Sequence, residues 1–230
     1  MRLILEIEPE QIGYLPGHYR DWLRAVVYRT LQDRTVHDAP CPYFTFSMLR
    51  GNIRFDTKRK EFNVSGPCRW EVRFIRIEDL RAFKETLRKE RSIQLGKSKF
   101  WINSLETPDV PKFNPIMHLH LDSPITTFQT SEGKRRYFHP AEGEFYHQLE
   151  QNARFKYNFH YGKEYNGPFE LIPTSDEFNK NVSKIRKTYV TAYYGRFDLK
   201  ADEDMQRILY LVGLGSHNAS GHGMTRVIHY

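Results

Sequence analysis

The sequence predicts an α+β protein made of two tandem ferredoxin-like units, each with the element order βαββαβ. Three observations support this prediction. Segments of alternating apolar and polar residues are interleaved with helical patterns, a proline-rich break divides the chain near its middle, and a similar order of elements begins again after the break. We place the first unit at residues 1–110 and the second at residues 111–230.

The first unit begins with a strand, because apolar residues alternate with charged residues from Met1 to Glu8. Leu15-Pro16-Gly17 breaks the chain, and the apolar residues that follow share one face of a helix that runs to about residue 32. The remaining predicted elements are strands at residues 43–49, 61–64 and 69–76, a helix around residues 80–87 and a strand at residues 100–105.

The second unit follows Pro108, Pro111 and Pro115. Its last helix has the apolar residues of positions 205–212 on one face and the carboxylates of positions 202–204 in its first turn, where the helix dipole favours them. The other predicted elements are a strand at residues 117–121, a helix over about residues 141–157, strands at residues 168–172 and 187–199, and a closing strand at residues 225–229.

Composition indicates a folded protein with an excess of positive charge. Hydrophobic residues make up 39% of the chain and aromatic residues 14%, which is more than a disordered chain contains. The 35 Lys and Arg exceed the 28 Asp and Glu by seven, which fits either a nucleic-acid partner or an ordinary solvated surface. A four-stranded sheet of this RRM-like topology often binds single-stranded RNA, although such folds also host many other functions.

Cysteine usage and hydropathy indicate a cytoplasmic protein. Cys41 and Cys68 are too few for a disulfide framework, and neither has the spacing of a zinc site. No apolar run approaches membrane-spanning length, and the N-terminus does not look like a signal peptide. We therefore expect no membrane association, no metal site and no cofactor.

The most unusual segment is GLGSHNASGHGM, residues 213–224, which we call the glycine stretch. It is neither a P-loop nor a dinucleotide fingerprint, because it leaves a helix and enters a strand. In one interpretation its backbone amides form a phosphate-binding concavity, with basic residues nearby to offset the repulsive helix C-terminus. In the other, Gly213 caps the helix and the remainder is a tight turn. The first interpretation gives the candidate RNA contacts Gly213, Gly215, Ser216, His217, Asn218, Ser220, Gly221 and Gly223.

Basic residues also alternate with aromatic residues in GKSKF, GKRRYF and SKIRKTY. This pattern suits phosphate contacts beside stacked bases, and it suits a solvated strand face equally well. The candidate RNA contacts in these runs are Lys134, Arg135, Arg136, Arg186 and Lys187.

The segment ILYLVGLGSHNASGHGMTRVI resembles the terminal motif of the repeat-associated mysterious protein (RAMP) superfamily, above all its CRISPR pre-crRNA-processing endoribonucleases. His222 stands between the last two glycines, where these proteins often have a small, aromatic or hydrophobic residue. Three other segments resemble the first helix, the second strand and the start of the second unit of the family, and they are LPGHYRDWLRAVVYRTL, PYFTFSML and DSPITT...GEFYHQLEQN.

The resemblance implies a metal-independent endoribonuclease that cuts CRISPR precursor RNA within its repeats. In this chemistry the 2'-hydroxyl attacks the adjacent phosphate and leaves a 2',3'-cyclic phosphate and a 5'-hydroxyl. The implied partner is CRISPR repeat RNA, with a CRISPR effector complex and a homodimer left open. Two alternatives remain, namely a non-catalytic RNA-binding subunit of an effector complex and an unrelated RNA-binding module.

The resemblance also points to catalytic residues. His37 lies where family members with a catalytic histidine carry it, although it could be an ordinary loop residue beside Asp38. His18, in the turn before the first helix, is the second candidate because the position of the histidine varies in the family. The family often has a lysine shortly after the histidine, whereas this chain has residues Pro40 to Tyr43 there, and the cations considered for this role are Arg24 and Arg34.

Tyr28 matches the tyrosine of the family's first helix, and helical geometry gives an independent reason to choose it. At about 100° per residue, Tyr28 falls nearly opposite the apolar stripe, with Arg24 one turn before it. Tyr28 is thus expected outside the core of its own unit. It would either pack against the second unit or orient the reacting 2'-hydroxyl, and Arg24 is a candidate RNA contact.

Overall fold

The computed structural model describes residues 1–31, 39–185 and 188–228. The first half of the described chain forms a seven-stranded antiparallel sheet with two helices on one face. Along the chain the elements are β1 (Arg2–Pro9), β2 (Gly13–Pro16), α1 (Arg20–Leu31), β3 (Phe44–Phe46), β4 (Arg50–Asp56), β5 (Glu61–Phe74), α2 (Ile77–Glu90), β6 (Ser92–Leu95) and β7 (Ser98–Glu106).

The second half forms a four-stranded sheet, two hairpins and two helices within the described residues. Its elements are β8 (Ile116–Leu121), the hairpin β9 (Phe128–Ser131) and β10 (Lys134–Tyr137), α3 (Gly143–Tyr161), β11 (Phe169–Pro173), the hairpin β12 (Asn179–Ile185) and β13 (Thr188–Tyr194), β14 (Arg196–Ala201), α4 (Glu203–Val212) and β15 (Thr225–Ile228).

Strand order confirms the α+β, tandem ferredoxin-like class. In the second sheet the order is β11-β14-β8-β15, so the first strand of the unit lies between the third and the fourth, as the βαββαβ topology requires. In the first sheet β1 likewise lies between β5 and β7, and β3 and β4 pair with β5. The proposed boundary between residues 110 and 111 falls in the segment 107–115, which contains neither helix nor strand.

Alternation along the strands explains the two cores. Leu3, Leu5 and Ile7 of β1 are fully buried against the helices of the first unit, together with Trp70 of β5. The second core has the same construction, because Phe197 and the other apolar residues of its strands pack against α3 and α4. Each sheet therefore buries one face, as a period of two residues dictates.

Two strand predictions were wrong. Residues 61–64 and 69–76 were predicted as separate strands, but β5 runs unbroken from Glu61 to Phe74, because β2 and β4 pair with its first part and β1 and β3 with its second. Residues 187–199 were predicted as one strand, but β13 and β14 belong to different sheets. The chain changes sheet at Gly195, where a Cβ would lie 3.0 Å from Phe178 and 3.1 Å from Phe197.

The two units are joined by buried polar contacts. Nη1 of Arg73, on β5, donates hydrogen bonds to the carbonyl oxygens of Tyr210 (3.0 Å) and Thr225 (2.6 Å) in the second unit. A second link is the ion pair between Arg50 and the buried Asp122, at 2.7 Å. No helix among the described residues is long and apolar enough to cross a membrane.

Candidate functional site

A cleft of about 330 Å³ opens where α1, α3 and the glycine stretch meet. Tyr28 forms one wall, and residues 39–42 and 215–220 form much of the remainder. The ring of Tyr28 is half-buried and contacts Phe44 edge-on, with centroids 5.2 Å apart. Tyr28 thus packs at the margin of its own core, which the helical-wheel argument did not anticipate, and also faces the cleft.

The glycine stretch is a closed loop, and it begins with a helix cap. Gly213 is the C-cap of α4, with φ +88° and its N–H bonded to the carbonyl oxygen of Leu209 at 2.9 Å. The N–H of Leu214 then donates to the carbonyl oxygen of Gly223 at 2.8 Å. Gly223 has φ +70°, and a Cβ there would overlap the carbonyl oxygen of Leu214. Glycine is therefore needed for close packing of the stretch on itself.

Asn218 holds the two ends of this loop together. Its side chain is buried, and its Nδ2 donates to the carbonyl oxygens of Leu214 (2.9 Å) and His222 (3.0 Å). Its Oδ1 accepts a 2.7 Å hydrogen bond from Nζ of Lys156. The side-chain amide thus bonds to both ends of the loop and to the helix beneath it.

Lys156, on α3, lies beneath the stretch and was not predicted. It is 2% exposed, and its Nζ also donates to the carbonyl oxygens of Gly213 (2.7 Å) and Gly215 (2.6 Å). Burial lowers the pKa of Lys156 from 10.5 to about 7. A sequence signal existed, because position 156 lies on the apolar face of α3 that buries Phe145, Leu149 and Ala153.

Two arginines of α1 approach the stretch from the opposite side. Arg24 donates to Oγ of Ser220 at 2.9 Å and pairs with Asp21 at 2.9 Å. Arg20 is 7% exposed and donates to Nε2 of His222 at 3.0 Å. Within the described ranges Arg20 has no carboxylate partner, and its burial lowers the pKa of the guanidinium.

His222 is a buried packing group in this loop. Burial, and then the charge of Arg20, hold the pKa of His222 well below its usual range. Because an arginine can only donate, Nε2 of the neutral imidazole accepts the hydrogen bond. Ser183 of β12 lies 3.1 Å from the same nitrogen, so His222 connects α1, the stretch and the second hairpin.

The backbone of the stretch differs from the expected amide concavity. The N–H groups of Leu214, Ser216, Gly221 and Gly223 all donate to carbonyl oxygens of the protein. Positive charge instead comes from the side chains of Lys156, Arg20 and Arg24. Among the predicted contacts, Gly215, Ser216, His217, Asn218 and Ser220 line the cleft, whereas Gly213, Gly221 and Gly223 are buried and shape the loop.

The first hairpin brings an aromatic and basic edge to the cleft. Phe128 of β9 stacks on His217 with centroids 5.4 Å apart, and Cζ of Arg135 lies 4.6 Å above the ring of Phe128. Burial, followed by the charges of Arg135 and Arg24, lowers the pKa of His217 to about 4. The neighbouring Lys134 and Arg136 are exposed, and Arg136 pairs with Glu142 at 3.1 Å.

The other candidates lie elsewhere. His18 is exposed in the turn before α1, with its ring 6.2 Å from that of Trp22, and it does not line the cleft. Tyr28 lies eight residues after Arg20, the first residue of α1, which corresponds to about 12 Å along the helix axis, so His18 and Tyr28 lie toward different ends of the helix. His37, Arg34, Arg186 and Lys187 lie outside the described residues. Among the described residues, no group of three or more His, Cys, Asp or Glu side chains could hold a metal ion.

The fold and the site define a protein of two tandem ferredoxin-like units with a glycine-rich loop after the last helix, as the sequence resemblance implied. The family model described as "CRISPR associated protein Cas6, C-terminal" matches residues 106–227, more than half of the chain. The chain therefore belongs to the Cas6 family of CRISPR-associated proteins.

Individual relatives extend the similarity over nearly the whole chain. This chain is 23% identical to "CRISPR-associated endoribonuclease Cas6 1" of Methanocaldococcus jannaschii, and the match covers 97% of this chain and 91% of the relative. It is 24% identical to "CRISPR-associated endoribonuclease Cas6" of Pyrococcus furiosus, with 99% and 90% covered. A solved structure described as "An RAMP protein binding different RNA substrates" matches 100% of both chains at 17% identity and a TM-score of 0.87, which shows the same fold.

Proposed function

We propose that the protein is an endoribonuclease that cuts CRISPR precursor RNA within its repeats to produce guide RNAs. The observation that carries this proposal is the cleft in which Tyr28 faces residues 215–220 of the glycine stretch. The full-length similarity to two proteins named endoribonucleases supports it. The cleft places the Tyr28 ring of the first unit opposite a loop of the second unit that Lys156 and Arg24 contact through hydrogen bonds, and positive charge near a bound phosphate stabilises the charge that develops during cleavage.

The proposed reaction is attack of the 2'-hydroxyl on its own phosphate, without a metal ion. His37 is the proposed general acid or base, because an unperturbed imidazole titrates near pH 6.5. In the sequence it precedes Ala39, which lines the cleft, by two positions. Tyr28 would orient the 2'-hydroxyl, and Arg24, bonded to Ser220, is the described cation of α1 best placed to support the phosphate charge.

The test is incubation with repeat RNA in EDTA, followed by analysis of the product ends. We expect a 2',3'-cyclic phosphate and a 5'-hydroxyl. His37→Ala should lower the cleavage rate by about 10²-fold or more, which is the usual contribution of a general acid or base. The matched variant His18→Ala should keep the wild-type rate, and the reverse result would transfer the catalytic role to His18.

Tyr28→Phe separates chemistry from packing, because it keeps the ring that contacts Phe44 and removes only the hydroxyl. A lower cleavage rate with unchanged RNA affinity would support the proposed role. Tight binding of repeat RNA without cleavage by the wild-type protein would instead favour the alternative, a non-catalytic subunit of a CRISPR effector complex. Binding that ignores repeat sequence would favour an unrelated RNA-binding module.

We propose that RNA approaches the cleft along the β9–β10 hairpin, where Lys134, Arg135 and Arg136 are exposed. Removing a side chain that binds one phosphate should reduce the slope of log affinity against log salt concentration by about 0.7–0.9. Arg135→Ala should show this reduction, whereas Lys89→Ala on α2 should not. Arg186 and Lys187 stay predicted contacts, and the effector complex, the homodimer and the cytoplasmic location stay predictions.

A further inference from the structure

The proposed chemistry does not use Lys156, although this residue is the most completely buried cation at the cleft among the described residues. Its Nζ has three acceptors, the carbonyl oxygens of Gly213 and Gly215 and Oδ1 of Asn218, at 2.6 to 2.7 Å. An ammonium has three protons to donate, so this geometry satisfies the charged form completely. Gly213 also ends α4, whose C-terminal dipole favours a cation.

None of these acceptors carries a full negative charge. Among the described residues, the ionisable groups that interact electrostatically with Lys156 are the thiol of Cys41, on the segment before β3, and the imidazole of His160, on α3. Burial raises the pKa of Cys41 to about 11, so the thiol is neutral, and burial lowers the pKa of His160. Within the described chain Lys156 therefore has no anionic partner, and a buried cation of this kind is stabilised when an anion binds nearby.

The cleft offers a place for that anion. Ser216 and His217 are partly exposed on the cleft side of the loop, and Lys156 itself belongs to the cleft lining. Arg20 and Arg24 reach the loop from the other side through His222 and Ser220. A phosphate over the loop would thus lie among the positive charges of Lys156, Arg20 and Arg24. Of these three, only Arg24 has a carboxylate partner among the described residues, namely Asp21.

We propose that Lys156 is a positioning residue for RNA, whose ammonium holds the glycine stretch in its cleft-lining shape and attracts a phosphate bound over residues 216–220. This inference rests on the proposed function. In this arrangement RNA binding and protonation of Lys156 are linked. A phosphate that stabilises the ammonium must bind more tightly when Lys156 is protonated, and bound RNA must in turn raise the proton affinity of Lys156.

The linkage has a defined direction in pH. Burial lowers the pKa of Lys156 to about 7, so the free protein loses this proton as the pH rises through neutrality. RNA affinity should therefore fall above pH 7, by up to tenfold per pH unit for one coupled proton. His217, with a pKa of about 4, and His222, whose pKa is held well below its usual range, are neutral throughout and add no slope there.

The experiment measures the dissociation constant of repeat RNA from pH 6.5 to 8.5. The RNA carries a 2'-deoxy nucleotide at the cleavage position, so that it binds but cannot be cut. The wild-type protein should lose affinity about tenfold or more over this range. Lys156→Met should bind RNA weakly at pH 6.5, and its affinity should not show the fall with rising pH that the loss of the Lys156 proton causes. Lys89→Met, which removes an exposed lysine of α2, should behave as wild type.

Proton uptake by the wild-type protein provides a test that needs no variant. Calorimetric titration at pH 7.5 in buffers of different ionisation enthalpy should show that RNA binding takes up a fraction of a proton. Identical pH profiles for the wild type and Lys156→Met, or no proton uptake, would overturn the inference. If uncleavable RNA binds with this linkage but unmodified RNA is never cut, the proposed catalysis fails while the role of Lys156 in binding stands.

Discussion

Asn218→Ala tests how the glycine stretch is held. The substitution deletes one hydrogen bond from the buried ammonium of Lys156 and two bonds to the carbonyl oxygens of Leu214 and His222. A buried hydrogen bond to a charged group contributes about 1.5–3 kcal/mol and a neutral one about 0.5–1.5 kcal/mol. The three together predict a loss of about 2.5–6 kcal/mol, a large fraction of the roughly 5–15 kcal/mol that stabilises an ordinary domain.

The assay is the midpoint of thermal unfolding followed by circular dichroism. At about 2–4 °C for each kcal/mol in a protein of this size, the midpoint should fall by at least about 5 °C. Asn103→Ala is the matched control, because Asn103 is exposed and its bond to Glu8 faces solvent. A change smaller than about 1 kcal/mol for Asn218→Ala would refute the conclusion that the amide holds the loop. Asn218→Asp should lie between, since its carboxylate keeps the contact with Lys156 but loses both donors.

Three further predictions concern stability. Arg73→Met should lower the free energy of unfolding in urea by about 3–5 kcal/mol, because it removes the hydrogen-bond donor of the buried Glu71 carboxylate and of two carbonyl oxygens. Arg207→Met, at an exposed ion pair, should lower it by less than about 0.5 kcal/mol. Gly223→Ala should cost about 1–3 kcal/mol more than Gly162→Ala in the same assay, because both residues have positive φ but position 223, unlike position 162, lacks room for a Cβ. The wild-type unfolding free energy should rise between pH 7 and pH 9, by up to about 1.4 kcal/mol per pH unit. The reason is that Lys156 keeps its proton up to about pH 10.5 in the unfolded chain but releases it near pH 7 in the folded protein. Lys156→Met should lack this rise.

The sheets and helices were largely predictable because their signals are local. The face of α1 that carries Leu23, Val26 and Val27 follows a helical period, and these residues are buried as the period requires. The division between β13 and β14 was not predictable in this way. The sequence pattern of residues 188–201 is that of a single strand. Only the packing of Phe178 and Phe197 around Gly195 decides where the chain changes sheet.

The candidate site divides in the same manner. Tyr28 and the glycine stretch were found from motif resemblance, and the C-cap role of Gly213 followed from its place after an amphipathic helix. Lys156 and Arg20 were missed although each lies on the apolar face of its helix, because a single cation at such a position belongs to no sequence motif. The role of such a cation depends on the chain segment that covers it, and for both Lys156 and Arg20 this segment is residues 213–224.

The sequence by itself determined the periodicities, the two-unit order and the total charge of the chain, since each is a property of neighbouring residues or of simple composition. Tertiary structure decided where that charge acts. Arg20 lies 202 positions before His222, and Lys156 lies 57 positions before Gly213. Arg20 meets the glycine stretch only because the first unit packs against the second, and Lys156 meets it only because α3 packs beneath it. A contact between distant segments leaves no local period, so the positive site around the glycine stretch exists only in the folded molecule.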